Sequence, residues 1–229
     1  MTPPQPQTVP MLDLATAALL DKSAVIGACT RLSIKVDAAR RRAEVDALPP
    51  EAWATTGGRV GVHRETGSLF LRGYAPAEGP RPIEDRAVLD QLPYSRHIIE
   101  TQLGSAPLRC LMARLPGGKF VAEHADIGDY FAKTIRIHVP VITHPTAWMM
   151  CDRLCYVMAP GEVWALNNSA RHAVWNADPA QARTHMICDF LPTPALLDLL
   201  ARGERGLGAT RPDVEAAVQG EMANRASGG

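Results

Sequence analysis

Two short polar pairs interrupt apolar, β-favouring sequence between residues 119 and 141. His124 and Asp126 stand two residues apart, and so do Arg136 and His138. In a β-strand, residues two apart point to the same face, so each pair would present both of its side chains together. Burying that many ionisable groups is costly unless something pairs with them. Both pairs are therefore candidates for a binding or catalytic site.

A third potential metal ligand, His172, follows in the segment NNSARHAVWN. Two imidazoles and one carboxylate, with three coordination positions left open, form a ligand set that suits Fe(II). The same set with an open position also suits Zn²⁺. A His-x-Asp pair arises often by chance, so the assignment of His124, Asp126 and His172 as the metal-binding catalytic centre depends on what accompanies them.

Arg183 accompanies them at the start of RTHMICDF, a segment with the composition of a core strand. An arginine inside a β-barrel is an uncompensated buried charge unless an anion meets it. A dicarboxylate could supply that anion, with one end on the metal and the other held by the guanidinium group. The alternative is an arginine at a strand end that reaches solvent.

Two further residues are candidates for the substrate side of the site. Trp164 lies in the apolar run EVWALN, and Asn176 ends the run RHAVWN. We expect Trp164, Asn176 and Arg136 to contact substrate; core packing is the alternative for the tryptophan and a turn is the alternative for the asparagine. His144 and His185 are not predicted to be metal ligands.

The segments that carry these residues are predicted to be short strands. From residue 108 onward, β-rich runs follow one another, and turn sequences such as PGG and APG separate several of them: LRCLMARL, KFVAEH, TIRIHVPVIT, AWMMCD, LCYVMA, EVWALN, RHAVWN and RTHMICDFL. Many short strands at this spacing predict a barrel or a double-sheet jelly roll.

Helical patterns lie on both sides of these strands. We predict helices over 11–22, over 37–49 with Asp37 as N-cap, over 82–103 in two pieces broken at Pro93, and over 195–205 and 212–222. Three segments before the β-rich region are also predicted as strands, at 29–37, 59–64 and 68–73.

We therefore predict a mainly β protein with flanking helices, built as a single domain over residues 11–229. Its parts are an α-rich N-terminal part (11–104), a β core (105–192) and C-terminal helices (193–229). Residues 1–10 are Pro-rich and predict a disordered tail.

The composition is that of an ordinary globular protein, with 46% hydrophobic residues among 229. Lys plus Arg equals Asp plus Glu at 24 each, which argues against a nucleic-acid partner or a membrane surface. Five cysteines at irregular spacing predict reduced thiols, and no targeting segment stands out, so we expect a cytoplasmic protein. The oligomeric state is left open.

Four segments taken together resemble the aspartyl/asparaginyl β-hydroxylase family, which includes bacterial proline cis-hydroxylases: PGGKFVAEHAD, RIHVPVIT, GEVWALNNSARHAVWN and RTHMICDF. The resemblance covers about residues 105–190. It implies a double-stranded β-helix with a cupin-like jelly-roll core. It also implies Fe(II) and 2-oxoglutarate as cofactors, with O₂ as cosubstrate.

The resemblance also implies a role for each candidate. His124, Asp126 and His172 would be the iron ligands, and Arg183 would bind the distal carboxylate of 2-oxoglutarate. The family's Arg-x-His pair matches Arg136 and His138, which would lie near the first carboxylate of the cosubstrate or near the substrate.

The implied activity is hydroxylation of an unactivated C–H bond. The animal enzyme of the family carries Gly where this chain has Asp126; the full triad is a feature of the proline-hydroxylase branch. That triad and the lack of a long helical-repeat region favour small or short substrates. An apolar substrate would leave the donors of Arg136 and His138 unpaired, so we expect a carboxylate or amide near the oxidised carbon.

We predict Cβ of an Asp or Asn residue in a peptide or protein as the target, with a free amino acid such as proline as the alternative. Two alternatives belong to other classes: a zinc hydrolase and a non-catalytic metal-binding barrel.

Overall fold

The structure is a computed structural model that describes residues 13–53, 65–77, 79 and 81–227, with side chains as far as residue 223. The predicted tail at 1–10 and the predicted strand at 59–64 lie outside these residues. Within them, ten strands form: β1 Cys29–Arg31, β2 Gly67–Arg72, β3 Arg109–Leu115, β4 Phe120–His124, β5 Ile135–Ile142, β6 Ala147–Cys151, β7 Leu154–Tyr156, β8 Trp164–Leu166, β9 His172–Asn176 and β10 Arg183–Phe190.

The strands form two antiparallel sheets. The larger has the order β1-β8-β5-β10-β3-β2, and the smaller has the order β4-β9-β6-β7. From β3 to β10 the chain passes back and forth between the sheets, and only β6 and β7 follow one another within one sheet. This connectivity is that of a double-stranded β-helix, so the predicted fold class is confirmed. The two edge strands of the larger sheet, β1 and β2, come from the chain before residue 105.

Helices flank the sheets: α1 Lys22–Val25, α2 Ala38–Asp46, α3 Pro93–His97, α4 Asp129–Lys133, α5 Pro194–Ala201 and α6 Pro212–Ser227. Asp37 caps α2 as predicted, because its side chain accepts a hydrogen bond from the backbone N–H of Arg40. The helix predicted over 82–103 is divided at Pro93, which occupies the first turn of α3. Before Pro93 the prediction was only partly right, because residues 82–86 are not helical and Ala87–Gln91 form a short 3-10 helix.

The helix predicted over 11–22 was wrong for its described part. Residues 14–16 form a turn, residues 17–21 belong to neither a helix nor a strand, and a single helical turn begins only at Lys22. The reason lies in two aspartates. The Asp13 side chain accepts from the backbone N–H of Ala15, and the Asp21 side chain accepts from that of Ala24. Such local side-chain bonds compete with a continuous helix.

The outer face of each sheet is covered by apolar packing. On β5, Ile135, Ile137 and Val139 are fully buried in the core that the larger sheet shares with the helices. The residues between them, including Arg136 and His138, therefore point to the opposite face, toward the smaller sheet. In the same way, Ala173 of β9 packs against α6, which turns His172 inward.

Within the described ranges, no helix combines the length and the apolar character needed to cross a lipid bilayer.

Candidate active site

Two strands of the smaller sheet bring the predicted metal ligands together. His124 ends β4 and lies directly opposite His172, the first residue of β9, with ring centroids 4.2 Å apart. Asp126 follows in the loop after β4, where its backbone N–H donates to the carbonyl of Asn168 at 2.9 Å. One ligand atom from each of the three residues lies within 4.8 Å of the others. The cluster is small enough for one metal ion to reach all three.

The two imidazoles are oriented by the same local hydrogen bond. Nδ1 of His124 lies 2.8 Å from the carbonyl oxygen of Ala122, and Nδ1 of His172 lies 3.0 Å from that of Ala170. A carbonyl can only accept, so each Nδ1 carries the proton and each Nε2 carries the lone pair. Burial, together with the adjacent His124, lowers the pKa of His172 to about 3. His172 is therefore a neutral ligand at physiological pH.

The carboxylate of Asp126 is held from one side. Its Oδ2 accepts from Arg136 Nη1 at 2.5 Å and from Asn168 Nδ2 at 3.0 Å, whereas its Oδ1 lies 3.9 Å from His124 Nε2. Burial opposes ionisation, but the charge of Arg136 and the Asn168 hydrogen bond outweigh it and hold the Asp126 pKa well below its usual range. Asp126 is therefore ionised, with Oδ1 on the side of the histidines.

Arg136 is committed to two carboxylates. Besides Asp126, it donates to both oxygens of Asp189, from Nε at 2.8 Å and from Nη2 at 3.1 Å. Asp189 also accepts from Arg109 Nη2 at 2.9 Å and from the hydroxyl of Tyr130 at 3.3 Å. Burial alone would raise the Asp189 pKa, but Arg136 and Arg109 lower it to about 2. Three of the five N–H donors of Arg136 are therefore used by Asp126 and Asp189, which leaves at most two for a cofactor or substrate.

Arg183, in contrast, has no carboxylate partner among the described residues. It is 4% exposed at the start of β10, so the alternative in which it reaches solvent is excluded. Its hydrogen-bond partner is Nδ1 of His185, at 2.9 Å from Nη2. Burial lowers its pKa to about 9, so it remains charged at neutral pH. A buried cation without an anion is unfavourable, which marks this place as an anion site.

Two buried imidazoles accompany Arg183. Nδ1 of His138 lies 3.4 Å from Nδ1 of His185, and within the described chain the Nε2 atoms of both rings lack a hydrogen-bond partner. Burial, and next the charge of Arg183, lowers the pKa of each well below 6.5, so both are neutral. Because a guanidinium can only donate, Nδ1 of His185 accepts and its Nε2 carries the proton. His185 is thus a buried donor without a partner in that part of the chain.

Several residues at the site were missed by sequence reasoning. His185 stands two residues after Arg183, the same spacing as in the pairs His124/Asp126 and Arg136/His138. That spacing could have indicated from the sequence that His185 belongs to the site. Asn168 is a typical turn residue in the run NNSARHAVWN, and nothing in that run marks its contact with Asp126. Lys22 donates to Asn168 Oδ1 at 2.5 Å across 146 residues of sequence, and no local pattern points to such a contact.

The two remaining substrate candidates have structural roles. Trp164 is 2% exposed within the apolar cluster between the sheets, and its Nε1 donates to Glu162 at 2.9 Å. Asn176 is fully buried, and its amide bonds the carbonyls of Leu115, Pro116 and Gln181 and the ring of His144. The structure therefore supports core packing for Trp164 and a turn-stabilising role for Asn176, and it does not support the predicted substrate contacts.

A cavity of about 470 Å³ adjoins the Asp189 end of this network. Its walls include Arg109 and Tyr130, the two residues that bond Asp189, and the described residues 73–77, 79 and 81–83 supply most of the remainder. The lining is largely apolar, with Arg81 and Tyr74 as further polar members.

The family model for aspartyl/asparaginyl β-hydroxylase matches residues 67–192, which is more than half of the chain. A search of curated proteins finds no match. Among solved structures, the chain is similar to a prolyl-4-hydroxylase from Pseudomonas putida, with 18% identity, 79% of this chain and 100% of that chain covered, and a TM-score of 0.45.

It is also similar to a prolyl hydroxylase from Trichoplax adhaerens in complex with a hypoxia-inducible-factor peptide fragment (12% identity, 67% and 77% covered, TM-score 0.46). A third similar structure is an oxidoreductase of the 2-oxoglutarate-Fe(II) oxygenase family from Burkholderia pseudomallei (14% identity, 67% and 90% covered, TM-score 0.41). The match to the family model spans every strand from β2 to β10, and on that ground the chain belongs to the aspartyl/asparaginyl β-hydroxylase family.

Proposed function

We propose that this protein binds Fe(II) through His124, Asp126 and His172, binds 2-oxoglutarate through Arg183, and hydroxylates a C–H bond next to a carboxylate or amide. One observation carries the proposal: a buried arginine without an anionic partner in the described chain lies on the inner face of the same barrel as a His–Asp–His cluster. A zinc hydrolase would leave Arg183 without a task.

The donor set fits iron. It consists of two imidazoles that present Nε2 and one ionised carboxylate that presents Oδ1, which leaves three positions of an octahedral ion for other ligands. When bound, iron with 2-oxoglutarate and O₂ supplies the oxidising chemistry that inserts oxygen into a C–H bond. The chain contributes the orientation of the ligands and an interior without bulk water.

The inner face of the larger sheet fits a dicarboxylate. On β5 and β10 the pairs Asp189–Arg136 and Ile187–His138 follow one another, and His185 and Arg183 come next along β10. Along the sheet these side chains therefore extend from Arg136, which bonds Asp126, to Arg183, which has no anionic partner among the described residues. A ligand with a carboxylate at each end would reach from the metal to Arg183, where the planar guanidinium can bind the far carboxylate with two hydrogen bonds. His138 lies between the two ends.

The charge of the interior supports a substrate that carries a carboxylate. Among the residues that the structure describes, four cationic side chains surround the site and two carboxylates balance them: Lys22, Arg109, Arg136 and Arg183 against Asp126 and Asp189. Bound 2-oxoglutarate would bring two negative charges and bound Fe(II) two positive charges. Together they would leave the surplus of positive charge from the side chains unchanged. An anionic group near the metal is therefore favoured.

We infer an Asp or Asn residue of a peptide as the target, oxidised at Cβ, and a free amino acid such as proline as the second candidate. The cavity beside Arg109 and Tyr130 supports a peptide, because its apolar lining offers a surface for residues that flank the target. A free amino acid would leave that surface uncovered.

The test is succinate formation from 2-oxoglutarate in the presence of Fe(II), with two panels of substrates: free amino acids and Asp- or Asn-containing peptides. We expect succinate to form and a peptide to gain one oxygen atom, detected by mass spectrometry. Oxygenation of free proline or a similar amino acid alone would overturn the choice of a peptide. Turnover with Zn²⁺ and without succinate would overturn the proposed function.

A further inference from the structure

A buried lysine from the N-terminal part of the chain contacts the metal cluster through one intermediary. Lys22, the first residue of α1, is 4% exposed, and its Nζ donates to Oδ1 of the fully buried Asn168 at 2.5 Å. Asn168 in turn donates from Nδ2 to Oδ2 of Asp126 at 3.0 Å. The N-terminal part is thereby linked to a predicted metal ligand.

The chemistry of the lysine fixes the direction of this relay. An ammonium group can only donate, so the amide oxygen of Asn168 must face Lys22. The amide nitrogen must then face Asp126, where it donates. The opposite orientation would place two donors together at Lys22 and two acceptors together at Asp126. Lys22 therefore excludes one of the two orientations of the Asn168 amide.

The relay bears on which carboxylate oxygen faces the metal. Asn168 and Arg136 both donate to Oδ2 of Asp126, and Oδ1 remains on the side of His124. We propose that Lys22 is a positioning residue of the metal centre, which fixes the Asn168 amide and thereby keeps Oδ1 of Asp126 directed at the metal. This inference rests on the proposed iron site and extends it to a residue far away in the sequence.

A purely structural role would not require a lysine here. Burying an ammonium group is costly, and the nearby Arg136 adds repulsion; burial and then that charge lower the Lys22 pKa to about 8. A methionine would fill the same space without this cost. The backbone on both sides of Lys22 is already anchored, because Leu20 N–H donates to Ala132 and the carbonyl of Val25 accepts from Arg205.

The test compares Lys22→Met with Lys35→Met, a matched control whose side chain is 68% exposed. Metal-free protein is titrated with Mn²⁺ by calorimetry, and its thermal melting is recorded. We expect Lys22→Met to raise the Kd for Mn²⁺ about tenfold, in the range found for partners that orient metal ligands. Its Tm should stay close to that of the wild type, because relief of the buried charge and loss of the Asn168 hydrogen bond oppose each other. Lys35→Met should leave both quantities unchanged.

A double-mutant cycle separates positioning from packing. Asn168→Ala should itself raise the Kd, and adding Lys22→Met to it should cause no further rise, because the lysine acts through the asparagine. Fully additive effects, or a Lys22→Met Kd equal to that of the wild type, would overturn the inference.

If Lys22→Met does not fold, Lys22→Leu replaces it. Leucine likewise offers no donor to Oδ1 of Asn168, so we again expect a several-fold rise in Kd. An unchanged Kd would overturn the inference. Wild-type protein that binds no Mn²⁺ would instead remove the proposed metal site itself, so the two failures are distinguishable.

Discussion

Replacing Arg183 by leucine separates its role as an anion-binding group from any role in folding. In the described chain the guanidinium has an imidazole partner and no carboxylate partner, so its removal leaves no protein anion unpaired. The leucine also removes the cost of a buried charge. We therefore expect the Tm of the ligand-free protein to be unchanged or higher.

The binding of 2-oxoglutarate, in contrast to the Tm, should be weakened by Arg183→Leu. Losing one partner of a buried charge pair costs about 2–5 kcal/mol, and about 1.4 kcal/mol corresponds to a tenfold change. We therefore expect the half-saturating concentration of 2-oxoglutarate to rise by on the order of a hundredfold, measured as succinate formed at saturating Fe(II). Arg202→Leu, on the exposed surface after α5, is the matched control. An unchanged half-saturation in Arg183→Leu would refute the assignment.

Three further predictions concern neighbouring residues. His124→Ala, Asp126→Ala and His172→Ala should each abolish turnover with nearly intact melting, and near-normal succinate formation by Asp126→Ala would contradict the ligand assignment. His185→Phe should raise KM for 2-oxoglutarate about tenfold and change kcat little, because about 1.4 kcal/mol of hydrogen bonding to Arg183 and the ligand is lost; equal losses in kcat would contradict this role. Asp189→Asn should lower Tm at neutral pH. Because the Asp189 pKa is lowered from 3.8 to about 2, its stabilisation is present above about pH 4 and lost as the pH falls toward 2, so the Tm difference should vanish there. A difference that persists at pH 2 would exclude this electrostatic cause.

Sequence reasoning predicted the features that depend on local pattern. The strands of the β core follow from runs of β-favouring residues between turn sequences, and the inward position of His124 follows from strand alternation, whereas Asp126 lies in the loop after β4. Their meeting with His172 could be inferred only through the family resemblance, because it depends on the pairing of β4 with β9.

Contacts set by strand register could not be predicted. Arg136 is held by Asp189 because β5 and β10 are paired with those two residues opposite one another. The apolar pattern of the two segments decides which side chains point inward, but it does not exclude a shift by two residues, which would have left Arg136 without that partner. The argument for a carboxylate substrate thus depends less on unpaired donors of Arg136 than on the overall surplus of positive charge around the site.

The wrong prediction of a helix over 11–22 has a different cause. The apolar spacing of 11–22 suits a helix, but Asp13 and Asp21 bond their own neighbouring backbone instead. The second of these bonds starts α1 at Lys22 and so places the lysine beside Asn168. A capping preference read from Asp21 would have located the start of the helix, although not its contact with the metal cluster.

The most direct test of the central claim uses ¹⁸O₂ with wild-type protein, Fe(II), 2-oxoglutarate and the Asp- and Asn-containing peptides. The account predicts that a peptide gains one ¹⁸O atom at the target residue and that succinate forms with it in equal amount. Product that takes its new oxygen from water, or that forms without 2-oxoglutarate, would contradict the account.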